Sequence, residues 1–393
     1  MKEIFGEKTI AKLYIGLVAT SILGDMLYWF VSKSFAGYAK LFFYPALFIV
    51  LIEVVKEKKI FKDIFLLFLS CSAGICLIVG LHNNKLEKEF FAHFLPFILP
   101  IFAYSYGVRS ELNSGRLSAT IDKYAIRAGY VLVGLVAIYY PLVQIGYIEY
   151  FGAGALFAYP IFYALNKKLY FSAAVFYVAN IFTGKRSVLL AITVVIFIFL
   201  YKSSNKISRI IIISLVVMLA ALLYVAGEES GGHLFGMGLD RYIIIFQYMA
   251  ENEDVLKAID LATSGRLYDV IAVIDRLGDS VFNWFFGIGF GAVFTIDYSF
   301  SEEAHLTHYS HVTPFSYLLL GGFFLLLIVY LKLFRELRHA FNNIDNHLSM
   351  MIIYFFVIGF SGAIFFTDVF VWLIVGIFTA DRIKSEWLTK SFV

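Results

Sequence analysis

VTPFSYLLLGGFFLLLIVY, residues 312–330, decides the fold: it carries no charged residue, and Lys332, Arg335 and Arg338 follow directly. A helix needs about 20 predominantly apolar residues to cross the hydrocarbon core of a bilayer, and a basic cluster at its end is the usual mark of the cytoplasmic side. Long apolar runs recur outward along the chain, at 13–30, 41–55, 64–81, 90–106, 125–142, 143–165, 169–182, 187–201 and 210–226 before it, and at 349–366 and 369–380 after it. Hydrophobic residues make up 61% of the 393 and charged ones 16%, with a mean hydropathy of +0.81. That balance excludes a water-soluble globule. The expected fold class is all-α, a polytopic transmembrane bundle of about twelve spans. Residues 1–226 hold the first nine spans, 227–310 form one long, partly helical loop, and 311–393 hold the last three.

Lys and Arg are retained in the cytoplasm, so alternate connections of such a path should be basic. Lys2, Lys8 and Lys12; Lys56, Lys58, Lys59 and Lys62; Arg109, Arg116, Lys123 and Arg127; Lys167 and Lys168; Lys202, Lys206 and Arg209; Lys332, Arg335 and Arg338; and Arg382, Lys384 and Lys390 all fall on one side. Lys33, Lys40, Lys85, Lys88, Lys185, Arg186, Arg241, Lys257, Arg266 and Arg276 fall on the other. Both termini are therefore expected in the cytoplasm and the 227–310 loop outside. The net charge of +3 comes mostly from this retention signal and gives no reason to expect nucleic acid as a partner. The N-terminus leads from a charged stretch into a full-length span without a small-residue cleavage site, so the first helix is expected to stay. Cys71 and Cys76 share one span and no outward cysteine pair exists, so disulfides are not expected.

The outer loop has thirteen Asp and Glu against four Lys and Arg, so an anionic ligand there must be held by particular residues rather than by a bulk positive field. It opens with a flexible run at 227–232, and an aromatic-rich helix is expected around 239–259. Leu267, Val270, Ile271 and Ile274 then follow the i, i+3, i+4, i+7 spacing of one helical face, with Ser264 as the expected N-cap. That would put Arg266 in the first turn, where free backbone N–H groups and the helix dipole favour a phosphate. Residues 281–286, with Trp284, suit a stretch in the headgroup region or dipping below it, and Gly287-Ile288-Gly289-Phe290-Gly291 is expected to be a turn.

Three features meet at the predicted outer face: Thr183-Gly184-Lys185-Arg186-Ser187 between two spans, Ser264-Gly265-Arg266 on the loop helix, and His308-Tyr309-Ser310-His311 entering the next span. In this order they resemble the O-antigen polymerase and ligase superfamily. Its members carry a Gly/Ser-Arg-Ser element before a span, a Ser-Gly-Arg helix in a long periplasmic loop, and a His shortly before a Gly-terminated apolar run, here His311-Val312-Thr313-Pro314 through Gly321-Gly322. The likeness is strongest over 181–330, and Val312 stands where the family often has Asn. It implies an enzyme of the bacterial inner membrane, in which a sugar hydroxyl attacks the anomeric carbon of a glycan linked to undecaprenyl diphosphate and expels the lipid diphosphate. Arg186 and Arg266, with Lys185 beside them, would hold the diphosphate, since guanidinium is always charged and matches phosphate oxygens with a planar fork of donors. His311 would take the acceptor's proton, with His308 competing for that role and Ser264 auxiliary. The family implies no cofactor, a glycan-bearing lipid as donor and acceptor, contact with membrane lipid, and a chain-length regulator as a further partner.

Each residue also has a plainer reading. Arg186 could snorkel from a helix end to the headgroups, and Arg266 could pair along its helix with Asp269 or Asp275. His305, His308 and His311 recur every third residue near Glu302 and Glu303, which invites a zinc site, but steps of three drift around a helix and zinc needs convergent ligands, so no metal is expected. Among functions, a polymerase of repeat units is favoured. A ligase that moves finished polymer to lipid A core would use the same donor and the same arginines. A transporter or flippase would carry ionisable groups mid-span, where Asp25 is the main acid in this chain. A structural subunit of a glycan-export assembly needs no chemistry at all.

Overall fold

The computed structural model describes residues 63–84, 88–114, 117–144, 152–183, 186–203, 265–296, 305–307, 310–360 and 368–391. The spans expected at 13–30, 41–55 and 210–226, the linker at 227–232 and the helix at 239–259 lie outside the described residues. The regular elements described are helices but for one short hairpin. In chain order it comprises α1 (Ile64–Asn83), α2 (Lys88–Ser114), α3 (Leu117–Gln144), a 3-10 turn (Gly152–Phe157), α4 (Ala158–Asn166), α5 (Tyr170–Ile181), α6 (Arg186–Ser203), α7 (Arg266–Gly278), α8 (Val281–Phe286), β1 (Phe294–Ile296), β2 (His305–Thr307), α9 (Thr313–Asn342), α10 (His347–Gly359) and α11 (Val369–Ser391). Two of these, α1 and α9, are long and apolar enough to cross a membrane by length and composition. The run at 143–165 departs from its expected single span: α3 continues through Pro141 to Gln144, and the chain resumes as the 3-10 turn and the short α4.

Close backbone approach holds the bundle together. Along the contact of α2 with α11, a Cβ added to Gly107 would lie 2.5 Å from the Leu373 carbonyl oxygen, and one added to Gly376 would lie 2.4 Å from that of Tyr104. Small residues at such a crossing let two helices gain van der Waals contact. Phe65, Tyr104 and Trp372 close the space beside it, with ring centroids 5.2 to 6.2 Å apart.

The helix ends sort by polarity. At one end Glu336, fully buried on α9, takes Lys332 at 2.7 Å and both Nε and Nη2 of Arg382 at 3.0 and 3.1 Å, while Asp63 accepts from Tyr104 Oη at 3.0 Å. Lys384 of α11 reaches Glu111 of α2, and Asp122 of α3 meets His347 of α10 at 2.9 Å. The Lys202 ammonium donates to the Phe341 carbonyl, and Asn166 to that of Asp345. The terminal residues of eight elements, α1 to α4, α6 and α9 to α11, thus meet at one end, and they are the ends that carry Arg109, Lys167, Lys202, Arg335 and Arg382. Part of the charge at these helix ends turns inward, where pairing offsets the cost of desolvation.

At the other end a loop enters the bundle. Helix α9 is broken within its apolar run, at Gly321 (φ −129°, ψ 15°) and Gly322 (φ 61°, ψ −161°). The amides of Ile288 and Gly289 donate to the carbonyls of Leu319 and Leu320 at 2.7 and 3.0 Å, and that of Phe290 donates to Cys76 of α1 at 3.0 Å. Gly291 donates its amide to Nδ1 of buried His93, and Asn84 Nδ2 donates to the carbonyls of Ile288 and Phe290 at 3.2 and 3.0 Å. Residues 287–291 are therefore more than the expected turn: they form a buried segment stitched to α1, α2 and the broken α9. Irregular backbone buried among helices needs its polar groups met by other groups of the protein, as they are here. Phe290 anchors it, its ring fully buried edge-on to Phe90, Phe94 and Phe97 at 5.5 to 5.9 Å.

Candidate functional site

Helix α7 begins at Arg266, and its N-cap is Gly265 at φ 83°, with no side-chain cap. This corrects the expected cap, Ser264, which lies one position further out and outside the described residues. Gly265 takes the left-handed conformation that a side chain disfavours, so the chain can turn sharply into the helix. The buried stripe also differs from the expected one. It runs through Asp269, Val273 and Leu277, spaced i, i+4, i+8, while Ile274 is exposed and Leu267, Val270 and Ile271 are half-buried. An acidic residue thus occupies a place that apolar periodicity alone assigns to solvent.

Asp269 is fully buried, and its Oδ2 receives three donors or potential donors from the entry to α9. Ser310 Oγ donates at 3.1 Å, the His311 amide at 2.6 Å, and His311 Nδ1 lies at 3.3 Å. Asp269 Oδ1 is buried with no hydrogen-bond partner among the described residues. Ser310 is fixed in turn: its Oγ accepts from the Val312 amide at 3.0 Å and its carbonyl accepts from Ser316 Oγ at 2.7 Å. Pro314 opens the first turn of α9, where a missing N–H costs nothing. The His311 side chain remains 54% exposed, so a rigidly held backbone presents an imidazole that outside groups can reach.

The neighbouring elements hold α7 in this position. β1 packs against it and pairs antiparallel with β2, Ile296 opposite His305, and β2 leads back toward Ser310. His305 is therefore a strand residue, so the every-third-residue recurrence of histidines is not a helical stripe. α8 follows α7 and lies on α9, with Trp284 stacked on Phe323 at 5.7 Å and Val281, Phe282 and Phe285 exposed. That exposed apolar helix is consistent with the expected stretch at a membrane surface.

Of the residues singled out from the sequence, Arg266 and His311 are brought to one place. Arg266 lies one helical turn before Asp269, and Asp269 holds His311. Arg186 opens α6, which packs on α5 and α10, but its side chain, together with Lys185 and His308, lies outside the described residues. From the sequence alone Asp269 stands out only as a helical partner for Arg266. The signal that picks it out is its i, i+4, i+8 register with Val273 and Leu277. No protein-family model matches the chain, and no curated protein is similar to it.

Proposed function

We propose that this chain is a polytopic enzyme of the bacterial inner membrane, with about twelve spans and both termini cytoplasmic. It would join undecaprenyl-diphosphate-linked repeat units of a surface polysaccharide on the periplasmic face. The observation that supports this reading most is the contact of Asp269 with Ser310 and His311. It brings the helix that starts at Arg266 against the His-bearing entry of a long apolar helix, so a permanent cation and an exposed imidazole share one end of the bundle. The gathering of basic helix ends at the opposite pole supports the same orientation.

In the reaction, an acceptor hydroxyl gives its proton to His311 as its oxygen bonds to the anomeric carbon of the donor. The bond from that carbon to the diphosphate oxygen breaks, and the leaving electron pair stays on lipid diphosphate. Arg266 opposes that charge, helped by the positive end of α7, and Arg186 and Lys185 would add to it. No metal or cofactor is invoked in this scheme.

The test is the glycan pattern of a strain lacking the gene, complemented with wild type or with Arg266→Ala and resolved on a lipopolysaccharide gel. A polymerase predicts that the ladder collapses to a single repeat unit on lipid A core, with the variant still inserted in the membrane. Loss of all repeat units from the core, with polymer left on undecaprenyl diphosphate, would identify a ligase. An unchanged ladder would discard both and return the chain to the transporter class.

A further inference from the structure

Asp269 carries an inference that rests on the reading above. We infer that it is a positioning residue, acting through His311 to hold the imidazole in the tautomer and orientation that leave Nε2 open to the acceptor hydroxyl. Both of its links to His311 end on one oxygen: the backbone amide at 2.6 Å fixes where the residue sits, and Nδ1 at 3.3 Å fixes how the ring is turned. With Nδ1–H donating to the carboxylate, Nε2 is the basic nitrogen, and a half-exposed ring can offer it outward.

The burial contrast supports a working role. Asp269 is fully buried on a helix whose other buried positions are Val273 and Leu277, both apolar. A carboxylate there costs free energy unless donors meet it, and its Oδ1 has no hydrogen-bond partner among the described residues. An apolar side chain at 269 would satisfy packing alone. What it could not do is accept from Ser310, the His311 amide and the ring together. The carboxylate also has the right sign for the step: when His311 gains the acceptor's proton, the resulting imidazolium faces Asp269. Because Asp269 is carried one turn beyond Arg266, it also sets the distance between the cation that faces the leaving group and the base that faces the nucleophile.

A double-mutant cycle on the purified full chain tests this, with an undecaprenyl-diphosphate-linked repeat unit as substrate. Asp269→Asn keeps the shape and can still accept from Ser310 and the backbone. It should lower kcat about 100-fold, the low end of what a positioned acid–base group contributes, with donor KM unchanged. In a His311→Ala background the same change should cost nothing further, whereas a merely structural role costs the same in both backgrounds. Full additivity would overturn the inference.

A second measurement needs no substrate. Carbethoxylation of His311 by diethyl pyrocarbonate, followed by peptide mass spectrometry, should slow in Asp269→Asn while modification of exposed His82 stays the same. An unchanged rate at His311 would overturn the orientation by itself. If the wild-type chain does not turn over the lipid-linked glycan but the rate at His311 falls, the coupling stands and the glycosyl-transfer reading is what fails.

Discussion

Gly322 takes φ 61°, and a Cβ there would lie 2.3 Å from the Phe285 carbonyl carbon. Conformation and space both exclude a side chain, and the two demands share a cause: residues 285–289 come in against α9 where its helix is broken, and their amides replace the donors that Leu319 and Leu320 would have had from the next turn. Gly322→Ala is therefore expected to lower stability by about 1–3 kcal/mol from backbone strain alone, with the contact adding to it. Gly74→Ala, which meets nothing within 4 Å, should leave it unchanged or raise it by up to about 1 kcal/mol through helix propensity. Thermal unfolding of the two variants in the same detergent makes the comparison; equal losses would mean that the break at Gly321–Gly322 does not matter to the fold. The pair Gly321-Gly322 is visible in the sequence within an apolar run, but what fills the break is not, because residues 287–291 are distant in the chain. Arg266 and His311 are legible for the opposite reason: polar groups in short motifs beside apolar runs stand out without any knowledge of packing. Asp269 is hidden because an acid on a helix reads as a solvated charge until its neighbours are known.

Helices α9 and α11 are tied by a buried charge. Glu336 is enclosed with Lys332 one turn before it and Arg382 from the next-but-one helix, the latter bidentate. Removing one member of such a group leaves the others unpaired in a low dielectric, which costs about 3–5 kcal/mol, whereas replacing the whole set with apolar groups of like volume is often close to neutral. Glu336→Gln should accordingly destabilise by about that amount, and Lys332→Met, Glu336→Leu and Arg382→Met combined should recover most of the loss. Chemical denaturation in mixed micelles reads both; a Glu336→Gln protein as stable as wild type would mean that the group is not a structural tie. The sequence shows these basic residues as a retention signal and is silent on their inward partners, since a charge at a helix end looks the same whether it snorkels or pairs. Boundaries fail in a similar way. Residues 143–165 carry enough hydropathy for a span, yet Gly152 and Gly154 lie in a 3-10 turn and the α-helix that follows it is short. The β1–β2 hairpin, three residues a strand, is too short to register as alternation.

Over the whole molecule, connections expected on one side from their basic clusters are also gathered at one pole of the structure. Alternation of basic clusters along the chain assigns each connection a side without reference to any contact. Contacts between helix ends, made with no knowledge of a membrane, gather Arg382, Lys384, Lys332 and Lys202 at one pole and Asn84, His93, residues 287–291 and Ser310 at the other. A path with one span fewer between 88 and 203 would place Lys202 beside the buried loop rather than beside Phe341. This polarity yields a labelling prediction. In a Cys71→Ser, Cys76→Ala background, Gly278→Cys, at an exposed glycine with open space around it, should react with a membrane-impermeant maleimide added to intact spheroplasts. Asn342→Cys, exposed at the far end of α9, should react only after the membrane is opened. Reaction of both from outside would mean that α9 does not cross, and with that the site at His311 and the basic pole would lie on one side. The reverse pattern would turn the molecule over and put His311 in the cytoplasm, which the proposed transfer on the periplasmic face does not allow.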